Sequence, residues 1–108
     1  MSWILGFYAN SRDDKPVEEF IYSLDDATFN KVMRVMDLLK VYGPKLSLPY
    51  AKRISSTIYE LRTSGKVPIR LLYTWHNSQF VLLNSFKKKT NKLPSKELKL
   101  AEERLDRL

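Results

Sequence analysis

The sequence predicts an α+β fold in the order β-α-α-β-β-β-α, a twisted, mainly antiparallel sheet with helices packed on one face. Three observations carry this. From Pro16 to Leu39 apolar residues recur near every 3.6 positions, the spacing of helices that bury one side. From Ile58 to Lys87 the period shortens to about 2, in three runs separated by turn residues, as in strands joined by hairpins. Beyond Pro94 the helical period returns. A chain of 108 residues supports one hydrophobic core, so residues 1–108 are expected to form a single domain.

Each element has its own signal. Trp3 to Ala9 is aromatic and aliphatic, and the polar group from Asn10 to Lys15 closes it, which predicts the first strand. Pro16 suits the first turn of a helix, Glu18 and Glu19 complement its positive end, and Val17, Phe20, Ile21 and Leu24 share a face. Ser23 and Asp26 have capping-box spacing before a second helix. Its apolar face is Phe29, Val32, Met33, Met36 and Leu39, and Gly43-Pro44 ends it. Lys45 to Tyr50 reads as irregular. Ile58–Arg62, Ile69–Trp75 and Phe80–Lys87 read as strands of a meander, and a last helix opens at Pro94-Ser95 with Leu98, Ala101, Leu105 and Leu108 on one face.

With Asn77-Ser78 as a two-residue turn, Arg70 is expected on the same side of the sheet as Ser85 and Lys87. Ile69, Leu71, Tyr73, Trp75, Phe80, Leu82 and Phe86 then form the core side, and the face opposite the helices is free for a ligand. The relation of Arg62 to Arg70 stays open. A two-residue Ser64-Gly65 turn sets them on opposite faces, an odd-length loop on the same face, and Pro68 favours the irregular loop.

The composition is that of an ordinary globular chain, 44% hydrophobic and 29% charged. It has no cysteine, which excludes disulfides, thiolate metal sites and thiol nucleophiles. A single histidine, His76, falls in a turn and excludes zinc sites built from several histidines. No metal or cofactor is expected. The apolar opening lacks a cationic leader and cleavage signal. No apolar run approaches the roughly 18 residues of a membrane span, so a cytoplasmic location without a membrane partner is expected.

The net charge of +7 is localised. Between Lys52 and Pro94 nine cations (Lys52, Arg53, Arg62, Lys66, Arg70, Lys87, Lys88, Lys89 and Lys92) face one acid, Glu60. Such a belt is the footprint of a protein that meets a polyanion, most often nucleic acid. Arginine forks match phosphate oxygens, and crowded lysines add charge and can exchange protons. A cluster of Arg62, Arg70, Lys88 and Lys89 can therefore bind a phosphodiester and stabilise its extra transition-state charge. RNA needs no metal for cleavage, because its own 2′-hydroxyl can attack the adjacent phosphate, and Glu60 is the available carboxylate base. The same acid can equally serve as a structural partner of the arginines. Lys52, Arg53, Lys66, Lys87 and Lys92 supply general attraction for phosphate, and Thr90 positions the loop.

Several motifs follow one another in a fixed order: Pro49-Tyr50-x-Lys52, Ile58-Tyr59-Glu60-Leu61-Arg62, Arg70-Leu71-Leu72-Tyr73, Leu82-Leu83, and Phe86-x-Lys88-Lys89-Thr90-x-Lys92-x-Pro94 with Glu97 and Ala101. In this the chain resembles the RelE/HigB toxin superfamily, most of all its phage-derived HigB-like branch. The resemblance implies a RelE-like fold and a ribosome-dependent mRNA endoribonuclease, held inactive by a helix-turn-helix (HigA-like) antitoxin. It makes Arg62 and Arg70 the arginines of the central strands and Lys88, Lys89 and Lys92 the C-terminal lysines, while Lys87 lies where the family varies. The classical RelE branch has lysines where this chain has Ile58 and Glu60, and a C-terminal tyrosine where this chain has none after Tyr73. Two other readings remain: a non-catalytic member of the fold that binds nucleic acid or only its antitoxin, and a protein-interaction domain with an incidental basic surface.

Overall fold

The computed structural model describes residues 2–108, so Met1 of the apolar opening lies outside the described residues. Strand β1 (Leu5–Phe7) leads into helices α1 (Pro16–Tyr22) and α2 (Asp26–Tyr42) and a 3-10 turn at Gly43–Lys45. Strands β2 (Ala51–Arg53), β3 (Tyr59–Arg62), β4 (Ile69–His76) and β5 (Gln79–Lys87) follow, and α3 (Ser95–Asp106) closes the chain. The strands make one sheet in the order β1-β5-β4-β3-β2. Only β1 and β5 pair in parallel; the other three ladders are antiparallel. The α+β class is as expected. Strand β2 is an addition that periodicity could not reveal, since three residues carry no period.

Local chemistry explains the helix ends. In α1, Pro16 opens the helix, Glu18 and Glu19 sit in its first turn, and Val17 and Ile21 are buried. The capping box expected from Ser23 does not form. Ser23 instead closes α1, its Oγ donating to the Phe20 carbonyl at 2.6 Å, and Asp25 takes the position before α2. At the other end of α2, Gly43 turns the chain with φ +55°, and a Cβ there would overlap the Trp3 ring. Only glycine reconciles that backbone with that neighbour.

Two apolar layers cover the sheet. Helices α1 and α2 press Val17, Ile21, Val32, Val35, Met36 and Leu39 onto Leu61, Ile69, Leu71, Tyr73 and Leu82. The expectation of helices on one face holds for these two. Helix α3 lies across the opposite face, where Ala101, Leu98 and Leu105 pack with Tyr8, Ile58, Leu72, Val81 and Leu83. Strand alternation turns Leu72 and Val81 away from Leu71 and Leu82, so those side chains need a cover of their own. Ala101 and Leu72 are both 0% exposed, as this requires.

The register decides which basic residues meet. Tyr73 pairs with Leu82 but Leu72 pairs with Asn84, so Leu83 is an extra residue in β5. Arg70 lies opposite Ile69 and Leu71 as expected, but the bulge reverses the end of β5, so Phe86, expected on the core side with them, pairs with Arg70 in place of Ser85. Ser85 and Lys87 pair with Leu71 and Ile69 and turn toward the α1–α2 side. Arg62 pairs directly with Arg70, so the loop between them is odd-length. The two-residue turn at Asn77-Ser78 does form, with φ of 49° and 62°, the left-handed pair that a tight hairpin requires. Trp75, expected in the core, is 47% exposed at that hairpin's end. Among the described residues no helix is long and apolar enough to cross a membrane.

Candidate nucleic-acid interface

Helix α3 covers the β4–β5 half of its face and leaves the β3–β2 half open. There β2, β3, β4 and the segment 88–94 enclose a narrow groove of about 50 Å³. Its walls carry Lys52, Arg62, Arg70, Lys88, Lys89 and Lys92 against the single acid Glu60, with Phe86 and Thr90 completing them. Alternation along the strands explains the gathering. Lys52 pairs with Glu60, Glu60 with Leu72, Arg62 with Arg70 and Arg70 with Phe86, so all of these side chains share the face not covered by α1 and α2.

At the floor lies a carboxylate between two guanidiniums. Glu60 is 6% exposed and Arg70 7%. Glu60 Oε1 stands 3.4 Å from Arg62 Nε and 3.9 Å from Arg70 Nε. Arg70 is further tied by Nη1, which donates to the carbonyls of Thr63 at 2.9 Å and Ile69 at 3.1 Å. Burial, and then the facing charge of Arg62, push the Arg70 guanidinium below its ordinary pKa, while Glu60 opposes the shift. Buried charges persist only when paired and hydrogen-bonded in this way. Arg62 is the freer of the two arginines, with 28% of its side chain exposed.

The rim comes from the segment after β5. Lys88 N–H donates to the Pro68 carbonyl at 2.8 Å, carrying the ladder one residue further. Thr90 Oγ1 donates to the Lys92 carbonyl at 2.9 Å, which folds the segment over and sets Lys89 and Lys92 in solvent beside the floor. Three sequence candidates do not line this groove. Lys87 is turned to the α1–α2 side by the bulge. Arg53 pairs with Tyr59 on that same side, and its Nε donates to the Ser55 carbonyl at 3.0 Å. Lys66 is exposed in the β3–β4 loop.

Two cations escaped the sequence reading. Arg62 and Arg70 also form a wall of a larger hollow of about 660 Å³, whose opposite wall includes Lys31 and Arg34 of α2. Lys31 Nζ donates to the Ser64 carbonyl at 3.1 Å, pinning the β3–β4 loop to the helix. The i, i+3 spacing of Lys31 and Arg34 was visible as one exposed stripe. What joins that stripe to the strand arginines is tertiary. Among the described residues no group of three or more His, Cys, Asp or Glu is placed to hold a metal ion.

The arrangement can hold an extended polyanion. Cations line both walls, two arginine forks meet at one point, and a carboxylate lies between them. A family model described as "Phage derived protein Gp49-like (DUF891)" matches residues 19–106. No curated protein matches the chain.

Proposed function

The chain belongs to the phage-derived Gp49-like family, a toxin-type family, and from that premise we propose that it is the toxin of a type II toxin–antitoxin pair, a ribosome-dependent mRNA endoribonuclease that inhibits translation. The reading places it in the HigB-like branch of RelE toxins. Its partners are then the ribosome with its mRNA, and a helix-turn-helix antitoxin of HigA type. The working unit is the single domain 1–108, in the cytoplasm.

One observation carries the proposal. Glu60, Arg62, Arg70, Lys88 and Lys89, each an expected catalytic residue, line the same groove, with Lys52, Thr90 and Lys92 beside them. In the reaction we assign to it, the 2′-oxygen of one ribose forms a bond to the adjacent phosphorus as the bond from phosphorus to the 5′-oxygen breaks. Arg62, with Arg70 beneath it, holds the phosphate and offsets its growing negative charge. Glu60 or a neighbouring lysine takes the 2′-proton, and Lys88 or Lys89 returns a proton to the 5′-oxygen. Fixing the attacking and leaving oxygens in line by means of the backbone contacts supplies much of the acceleration.

The second reading is a non-catalytic protein of the same fold. It is favoured by the engagement of Glu60, a buried residue whose carboxylate faces both arginines, as in a structural ion network. Inducible expression in bacteria, with 5′-end mapping of a reporter mRNA in translating and translation-blocked cells, separates the two. Cuts confined to translating cells are expected. Intact mRNA and normal growth in the presence of folded protein would leave only the binding reading.

A further inference from the structure

At the end of β3 away from Arg62, where Tyr59 pairs with Arg53 and Tyr73, a separate hollow of about 650 Å³ opens. Its walls are aromatic. Tyr59 and Tyr73 are stacked with centroids 5.5 Å apart, and Trp75 meets Phe80 at 4.8 Å and Trp3 at 5.6 Å. Both tryptophans are partly open to solvent, Trp75 at 47% and Trp3 at 37%. Trp3 is also fixed. Its backbone N–H donates to the Lys40 carbonyl at 2.8 Å, and its ring fills the space that a side chain at Gly43 would need. Lys52 and Arg53 line the hollow and no acid does. The hollow lies on the α1–α2 face and the groove on the opposite one, and Lys52 of the edge strand β2 lines both, so the β2 edge is the route from one to the other.

Planar apolar walls beside a cationic rim suit a planar ring that carries a phosphate. The volume lies within the roughly 300–1,000 Å³ of small-ligand sites. A protein segment would use the aromatic walls but would need acidic flanks to match the two cations. A nucleotide brings both features in one unit. Resting on the endoribonuclease reading above, we infer that this hollow is a nucleobase subsite for the same RNA strand. With one phosphate held at Arg62 and Arg70, the strand passes round the β2 edge, a base further along it stacks on Trp75 and Tyr59 on the other face, and the phosphate between meets Lys52 and Arg53. Every base has a π-face, so such stacking adds affinity without demanding a sequence.

The chain has two tryptophans, and both line this hollow, so tryptophan emission reports on it alone. The full chain is titrated with a single-stranded oligoribonucleotide that is 2′-O-methylated throughout and cannot be cut. Emission is read in one series and the anisotropy of a labelled copy in another. Quenching in step with binding is expected, with affinity about tenfold or more weaker for Trp75→Ala, largely restored in Trp75→Phe, and weaker for an oligonucleotide of abasic residues. Anisotropy that rises while emission stays constant would overturn the subsite, as would Trp75→Ala protein of unchanged circular dichroism that binds as tightly as the parent. No binding in either series would overturn it too. Loss of affinity for the antitoxin alone would give the hollow to a protein partner instead. The mRNA mapping judges the groove independently, so this subsite can fail while the nuclease reading stands.

Discussion

Arg62 and Arg70 face one another across β3 and β4, yet their surroundings assign them different work. Arg70 holds the carbonyls of Thr63, in the β3–β4 loop, and of Ile69, the first residue of β4, so Arg70→Ala should lower stability by about 1.5–3 kcal/mol as well as abolish cleavage. Denaturant titration reads the first effect and 5′-end mapping the second. Arg62 makes its ion pair at the edge of solvent. Arg62→Ala should therefore cut cleavage by about a hundredfold or more while stability moves by less than about 1 kcal/mol; cleavage at the parental rate would remove Arg62 from the phosphate site. Tyr73 tests the core. Burial, and then Tyr59, push its phenol from 10.0 up to about 12. The fold thus favours the neutral phenol, and that contribution is complete below pH 10 and lost as pH rises through 12. Stability of Tyr73→Phe should fall less steeply across that window than the parent's. Equal slopes would show that other groups set the alkaline limit.

Among the elements, α2 was the most legible, because Val32, Met36 and Leu39 recur at helical spacing and all are buried. Strands β3 to β5 and the Asn77-Ser78 turn were legible for a similar reason. Ser23 was misread because a hydroxyl near a helix junction can serve either helix, and here it donates to the carbonyl of Phe20 at the end of α1. The side of the sheet taken by α3 was hidden, since Arg70 and Thr74 make that face of β4 read as open to solvent, although every residue from Ile69 to Thr74 is buried. The bulge at Leu83 was hidden as well, and with it the separation of Lys87 from the groove. Glu60 and Arg62 share a face in spite of these errors because they lie two apart on one strand, a relation that no register can alter. Gly43 makes a test at this scale. Gly43→Ala should cost about 1–3 kcal/mol, through its backbone angle and through displacement of Trp3. The loss should appear in thermal melts together with an altered tryptophan emission, and an unchanged melt would free Gly43 of both roles.

For the whole molecule, the charge of +7 is concentrated where the sheet is left uncovered. Six cations line the groove. If most of them meet phosphates, affinity for a single-stranded oligonucleotide should fall by about two orders of magnitude between about 50 and 200 mM salt. A flat response would point to apolar contacts as the main source of affinity. The sheet also imposes an order in time. Strand β1 has one strand partner, β5, and Leu5 aligns with Phe80, so β1 must wait for the last strand of this sheet in chain order before it can pair. Closing so long a loop is slow, and non-local pairing of this kind sets folding rates. The groove needs the same late segment, since Lys88, Lys89 and Lys92 follow β5. A nascent chain therefore has no assembled groove until Lys92 has been added, which leaves the cell an interval between the start of translation and the onset of any activity the groove carries.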